Sequence, residues 1–172
     1  MVVCNQIKRI TGVRQGSFPF TYLGFPVFYG RKNKRHFEEL IKKVAIRITV
    51  WQNKLLSFGE RYILITHVPQ SMPLYLLSTM NPPSSIIEQL HKLFAKFFWG
   101  NATGSKNKNW VSWDNMCYPK KEWGLGFRSL TDVSKAFFAK LWWIFRTSTS
   151  SLWGSYIWIK YCKKVHPTIA MG

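Results

Sequence analysis

The only carboxylates in the chain are Asp114, Asp132, Glu38, Glu39, Glu60, Glu88 and Glu122. Phosphoryl transfer on metal ions needs several such groups converging on one point. Asp114 is predicted in a loop and Asp132 at a helix start. Glu38 and Glu39 are neighbours, so a helix sends them to different sides. Glu88 reads as a helix cap. A metal-dependent nuclease or polymerase centre is therefore not expected. Zinc sites need Cys/His pairs at close spacing. Cys4, Cys117 and Cys162 stand alone, and His36, His67, His91 and His166 are scattered. They read as ordinary buried cysteines and surface histidines. Spacing leaves a Cys/His nucleophilic pair open, because such pairs form only in three dimensions. The glycines at 100, 104, 124 and 126 make no phosphate-cradling loop. No catalytic residue, metal or cofactor is assigned.

The cations point to another chemistry. Against 7 Asp+Glu stand 25 Lys+Arg, a formal net charge of +18. So lopsided a balance attracts polyanions, nucleic acid first, because neutralised phosphates release counterions. An acidic protein or an anionic membrane surface also fits. Basic residues are spread along the chain, and no carboxylate follows Asp132, which describes a broad surface rather than a localisation tag. Trp99, Trp110, Trp113, Trp123, Trp142, Trp143, Trp153 and Trp158 sit among lysines. Aromatic rings beside cations can stack on bases while the cations hold phosphates. At helical spacing, however, aromatics are ordinarily core, so most are expected to be buried. Trp142 and Trp143 are adjacent and cannot both point to the centre of one core face.

The elements that carry these residues are mainly helical. Residues 17–30 mix aromatic and β-branched residues with Gly and Pro, which predicts short strands or a hairpin. Phe37, Leu40, Ile41, Val44, Ile48, Trp51 and Leu55 then recur on one face of a helix over about 35–56. Lys42, Lys43, Arg47 and Lys54 lie off that stripe, giving a basic side. After a break at 57–61, a helix over 61–68 is followed by a restart over 74–79, with Pro69 and Pro73 between them. Ser85 and Glu88 read as a capping box for a helix lined by Ile86, Leu90, Leu93 and Phe97, ended by Gly100. Residues 101–109 read as a flexible loop and 110–127 as irregular. Ser129 opens a helix with Phe137, Leu141 and Ile144 on one stripe. A linker over 147–151 precedes a last aromatic helix over 152–163. The fold class is mainly α: a short N-terminal β hairpin followed by a bundle of about five or six helices.

With 172 residues, the chain suits one ordinary domain or two small ones. At 47% hydrophobic and 17% aromatic it is no disordered basic tail. No apolar run is long enough to span a membrane; of the polyanions that fit the charge, nucleic acid is the expected partner and a membrane is not. Residues 1–10 lack signal-peptide character, and the separated cysteines suggest a reducing compartment.

The order of motifs resembles one family. Tyr22-Leu23-Gly24-Phe25-Pro26 is followed by Trp51-Gln-Asn-Lys54-Leu55-Leu-Ser57-Phe-Gly59-Glu-Arg61. Next come Ser71-Met-Pro73-Leu-Tyr75, Phe97-Phe98-Trp99-Gly100, Trp113, Cys117-Tyr-Pro119-Lys120 and Gly124-Leu125-Gly126-Phe127-Arg128. Leu152-Trp153 and Lys160-Tyr161 complete the set. Together they resemble the thumb and connection region after the palm of plant LINE-type (non-LTR) retrotransposon reverse transcriptases, over roughly residues 15–162. The resemblance implies a β segment from the palm end over 1–30, a thumb-like helical domain over 31–100 and a connection region over 101–172. It also implies a partner, the backbone of a template–primer duplex or RNA–DNA hybrid, held without sequence specificity. The palm of the parent polymerase is the other implied partner. The Tyr-x-Asp-Asp element of that family is absent, so a non-catalytic fragment of an RNA-directed DNA polymerase is implied. A nuclear stage follows by analogy with retrotransposition. Lys42, Lys43, Arg47, Lys54 and Arg61 are the expected phosphate contacts, with Gly59 as a turn glycine and Trp51 as a core anchor.

Three positions depart from the family pattern. Glu60 stands where it often has Gly, Pro69 where it often has Leu, and Trp123 replaces the first glycine of Gly-Gly-Leu-Gly. Such changes fit a decaying copy, an orphan fragment acting at most as a protein-interaction module.

Overall fold

The computed structural model describes residues 9–12, 16–22, 24–52, 54–100, 109–147 and 151–162. Strands β1 (Phe20–Tyr22) and β2 (Phe25–Val27) pair antiparallel, with Thr21 opposite Pro26 and Gly24 at the turn with φ +79°. Helices follow: α1 (Glu38–Gln52), α2 (Phe58–His67), α3 (Leu74–Thr79), α4 (Ser84–Trp99), α5 (Trp113–Met116), α6 (Leu130–Thr147) and α7 (Leu152–Tyr161). Two 3₁₀ turns, Lys34–Phe37 and Lys120–Glu122, sit between them. The mainly helical class and the leading hairpin agree with the sequence. The elements beyond the expected five or six are short turns.

The central element is α4. Ile86, Ile87, Leu90, Phe94, Phe97 and Phe98 are all buried, and the helix packs against α1, α2, α5 and α6. Its wide apolar face, the one the spacing predicts, needs cover on more than one side. One continuous core joins Val44 and Ile48 of α1, Ile65 of α2 and Leu90 and Phe94 of α4 to Trp113, Phe127 and Leu130. Trp113 stacks on Phe127 at 4.9 Å between centroids and meets Phe94 at 5.4 Å. Two polar clasps tie the C-terminal half to this core. Buried Gln70 donates its Nε2 to the Arg128 carbonyl at 3.1 Å, and its Oε1 accepts from the Arg128 N–H at 3.5 Å. Buried His91 accepts the Leu130 N–H on Nε2 at 3.1 Å.

Several local expectations change. The helix expected over 35–56 ends at Gln52, which leaves Leu55 exposed instead of in the core stripe. The break at 57–61 is a helix start. Ser57 caps α2 with Glu60 at N3, the Glu60 carboxylate accepting the Ser57 N–H at 2.7 Å and its hydroxyl at 2.8 Å. Gly59 therefore lies in the first turn of α2 and is no turn glycine. The capping box expected at Ser85 and Glu88 does not form. Helix α4 begins at Ser84 behind Pro83, and the Ser85 hydroxyl is buried without a partner. Ser129 does cap α6, its Oγ accepting the Asp132 N–H at 3.4 Å. Helix α2 ends at His67, as predicted: Val68 caps it, its N–H donating to the Leu64 carbonyl at 3.0 Å, and Pro69 has no N–H with which to continue the ladder. The loop expected over 101–109 and the linker over 147–151 lie mostly outside the described residues. Of the nine tryptophans only Trp113 is buried, and Trp142 and Trp143 are both exposed, against the expectation that most would be core.

Candidate nucleic-acid interface

Helix α1 forms because its apolar residues recur every three to four positions while Glu38 and Glu39 favour its positive N-terminal end. Burying Val44 and Ile48 against α4 turns the opposite side outward. Lys42, Lys43 and Arg47 are exposed there, and Lys54 is exposed just past the helix end, its N–H donating to the Trp51 carbonyl at 3.0 Å. Lys43 and Arg47, one turn apart, edge a shallow groove of about 320 Å³ whose other walls are Ile46, Val50 and Met72. Lys42 lies about 100° around the helix from Lys43. Trp51, the expected core anchor, is half-buried with its ring 6.1 Å from Phe97.

Lys43 pairs with Glu39 at 2.8 Å one turn earlier. Both side chains are more than half exposed, so the pair contributes only about 0.3–0.5 kcal/mol. The groove's apolar floor was not foreseen, although Ile46 and Val50 were visible as two apolar residues four apart on the basic side.

Arg61 departs from the other four candidates. It is 9% exposed, and its Nη1 donates to the Phe98 carbonyl at 3.3 Å, near the C-terminal end of α4. The last carbonyls of a helix lack intrahelical donors and carry partial negative charge, and Arg61 answers both. It holds α2 to α4 and exposes little of its side chain to solvent.

The departing positions have distinct local roles. Glu60 completes the α2 cap, and the Ser57 hydrogen bonds hold its carboxyl below the usual range. Trp123 is 99% exposed and adopts φ +63°, the left-handed region that favours glycine. The following residues wrap Tyr118: Gly126 has φ +73°, and its N–H donates to the Tyr118 carbonyl at 2.9 Å.

Both aspartates border a single open cleft of about 500 Å³, together with Cys117 and Ser129. Sequence spacing gave no sign of that meeting. Burial, with smaller contributions from Asp114 and Asp132, pushes the Cys117 thiol up to about 12, so it stays protonated. That is the reverse of an activated thiolate nucleophile. Asp132 also pairs with Lys135 at 3.5 Å. Among the described residues no three His, Cys, Asp or Glu side chains converge to hold a metal ion, and no helix is long and apolar enough to cross a membrane.

The chain is 37% identical over 136 residues to an Arabidopsis thaliana protein provisionally named a ribonuclease H protein. That match covers 79% of this chain and 22% of the relative's length. No protein-family model matches the chain, and no solved structure matches it.

Proposed function

We propose that this chain is a non-catalytic part of a LINE-type reverse transcriptase, the thumb and connection region, and that it grips a template–primer backbone through α1. The observation that carries this reading is the exposure of Lys42, Lys43, Arg47 and Lys54 on and just past one helix, in a chain of net charge +18. Flexible cations on a rigid helix suit phosphate contacts that position a duplex without reading its sequence. The ordered motifs of the sequence support the same reading, and a relative named as a ribonuclease H protein is in keeping with a retroelement parent. Catalysis would belong to the parent's palm.

A titration of the full chain against a labelled RNA–DNA hybrid at several salt concentrations tests the proposal. Affinity falling log-linearly with salt is expected. Neutralising Lys42, Lys43 and Arg47 together should flatten the slope by up to about 0.9 for each phosphate that no longer meets a cation. A second reading, a decayed copy without retained binding, is favoured by Trp123 in its left-handed conformation. Absence of saturable binding at low salt would select that reading.

A further inference from the structure

Helices α6 and α7 meet through a chain of three rings. Trp142 lies 5.8 Å from Phe145, and Phe145 meets Trp153 edge-on at 6.2 Å. Phe145 is buried, whereas Trp142 is 47% and Trp153 41% exposed. Two indoles are thus seated on one shared core ring with much of their surface in solvent. Rings fixed in this way lose little conformational freedom when a flat group stacks on them. The surroundings are cationic. Arg146 lies one turn after Trp142 on the same face of α6, and no carboxylate occurs from Val133 to the end of the sequence.

We propose that this aromatic face is a second nucleic-acid surface, one that takes unpaired bases of a single strand by stacking on Trp142 and Trp153. Arg146, on the same face of α6 as Trp142, then meets the strand's phosphates. The surface is separate from α1, involves other residues and engages bases rather than duplex backbone. Two other occupants fit less well. A second copy brings another +18 charge to the same face. An interfacial membrane helix needs segregated apolar and polar sides, and α7 has its apolar residues distributed around the helix.

The test compares labelled twelve-residue oligothymidylate with an abasic strand of equal length and charge, each titrated against the full chain. Phosphate contacts, including those of α1, act on both strands, so any difference reports base stacking. Wild type is expected to bind oligothymidylate at least roughly fivefold tighter. Trp153→Leu, which keeps an apolar contact with Phe145, should remove most of that preference. Trp153→Phe, which keeps a ring, should retain most of it, and Trp142→Leu provides an independent check. Circular dichroism confirms that each variant folds. Equal binding of the two strands by wild type, or a preference that survives both leucine variants, overturns the proposal. So does binding to anionic phosphatidylserine vesicles that depends on the same indoles in the absence of base preference. A concentration-dependent dimer abolished by Trp142→Leu overturns it as well.

Discussion

The α-carbon of Gly124 rests directly on the backbone of Tyr118, so that a β-carbon there would overlap the Tyr118 carbonyl. Its neighbour Trp123 has ample space but the wrong backbone for a side chain, at φ +63°. Substitutions at these adjacent positions should therefore act in opposite directions. Gly124→Ala is expected to destabilise the chain by about 2 kcal/mol or more, because only backbone movement relieves the overlap. Trp123→Gly is expected to stabilise it by about 1 kcal/mol, since the exposed indole contributes little packing and the left-handed cost disappears. Urea unfolding midpoints of the two variants give both signs.

Ser57 and Glu60 form a reciprocal cap whose strength depends on pH. The carboxyl of Glu60 is held below its ordinary value near 4.5, first by the Ser57 N–H and then by the Ser57 hydroxyl. A depressed acid stabilises the fold above its unfolded value, and that contribution is lost as pH falls through the folded one. Ser57→Ala should lower stability near neutral pH by about 1 kcal/mol and make the loss below pH 4.5 shallower. Denaturant midpoints across an acid series measure both effects.

His91 should titrate below 6.5, because burial disfavours the imidazolium more than Asp114, Asp132 and Glu88 favour it. Its Nε2 must also stay unprotonated to accept the Leu130 N–H. The unfolded chain therefore binds the extra proton first. Stability is full above 6.5 and declines as pH falls from there toward the folded value. An NMR titration of the His91 ring should find a midpoint below 6.5, and a midpoint at or above it would contradict the dominance of burial.

Arg47 and Arg61 should separate binding from stability. Arg47→Ala on the exposed face of α1 is expected to weaken hybrid binding while leaving the unfolding free energy within about 0.5 kcal/mol of wild type. Arg61→Ala strands the Phe98 carbonyl and is expected to cost about 1.5–3 kcal/mol of stability. Paired unfolding and binding measurements on the two variants distinguish these roles.

The parts of the fold legible in sequence are those with long, single-period patterns. The stripe from Ile86 to Phe98 is the core face of α4, and the aromatic and β-branched run before Gly30 forms the hairpin. Caps were less legible, because a Ser-x-x-Glu pattern occurs at both Ser57 and Ser85. Only at Ser57 does the helix begin where the pattern requires; α4 starts two residues early, with Pro83 rather than Ser85 at the cap position. The exposed cations of α1 could be read because they lie off its apolar stripe. Arg61 could not, since its partner carbonyl is 37 residues away and burial there depends on where α4 ends. The indoles of α6 and α7 misled for a related reason: helical spacing shows which residues share a face, but not whether another element covers it.

The core that joins the two halves of the chain also limits how this sequence can be divided. Trp113, Phe127 and Leu130 occupy the same apolar interior as Val44, Ile65 and Phe94. A chain cut after Gly100 would open that interior to water and leave Gln70 and His91 without the backbone groups of Arg128 and Leu130 that they hold. The unit that recombination can carry intact into another gene therefore extends through both halves, and a grafted α1–α4 segment alone would be prone to aggregate.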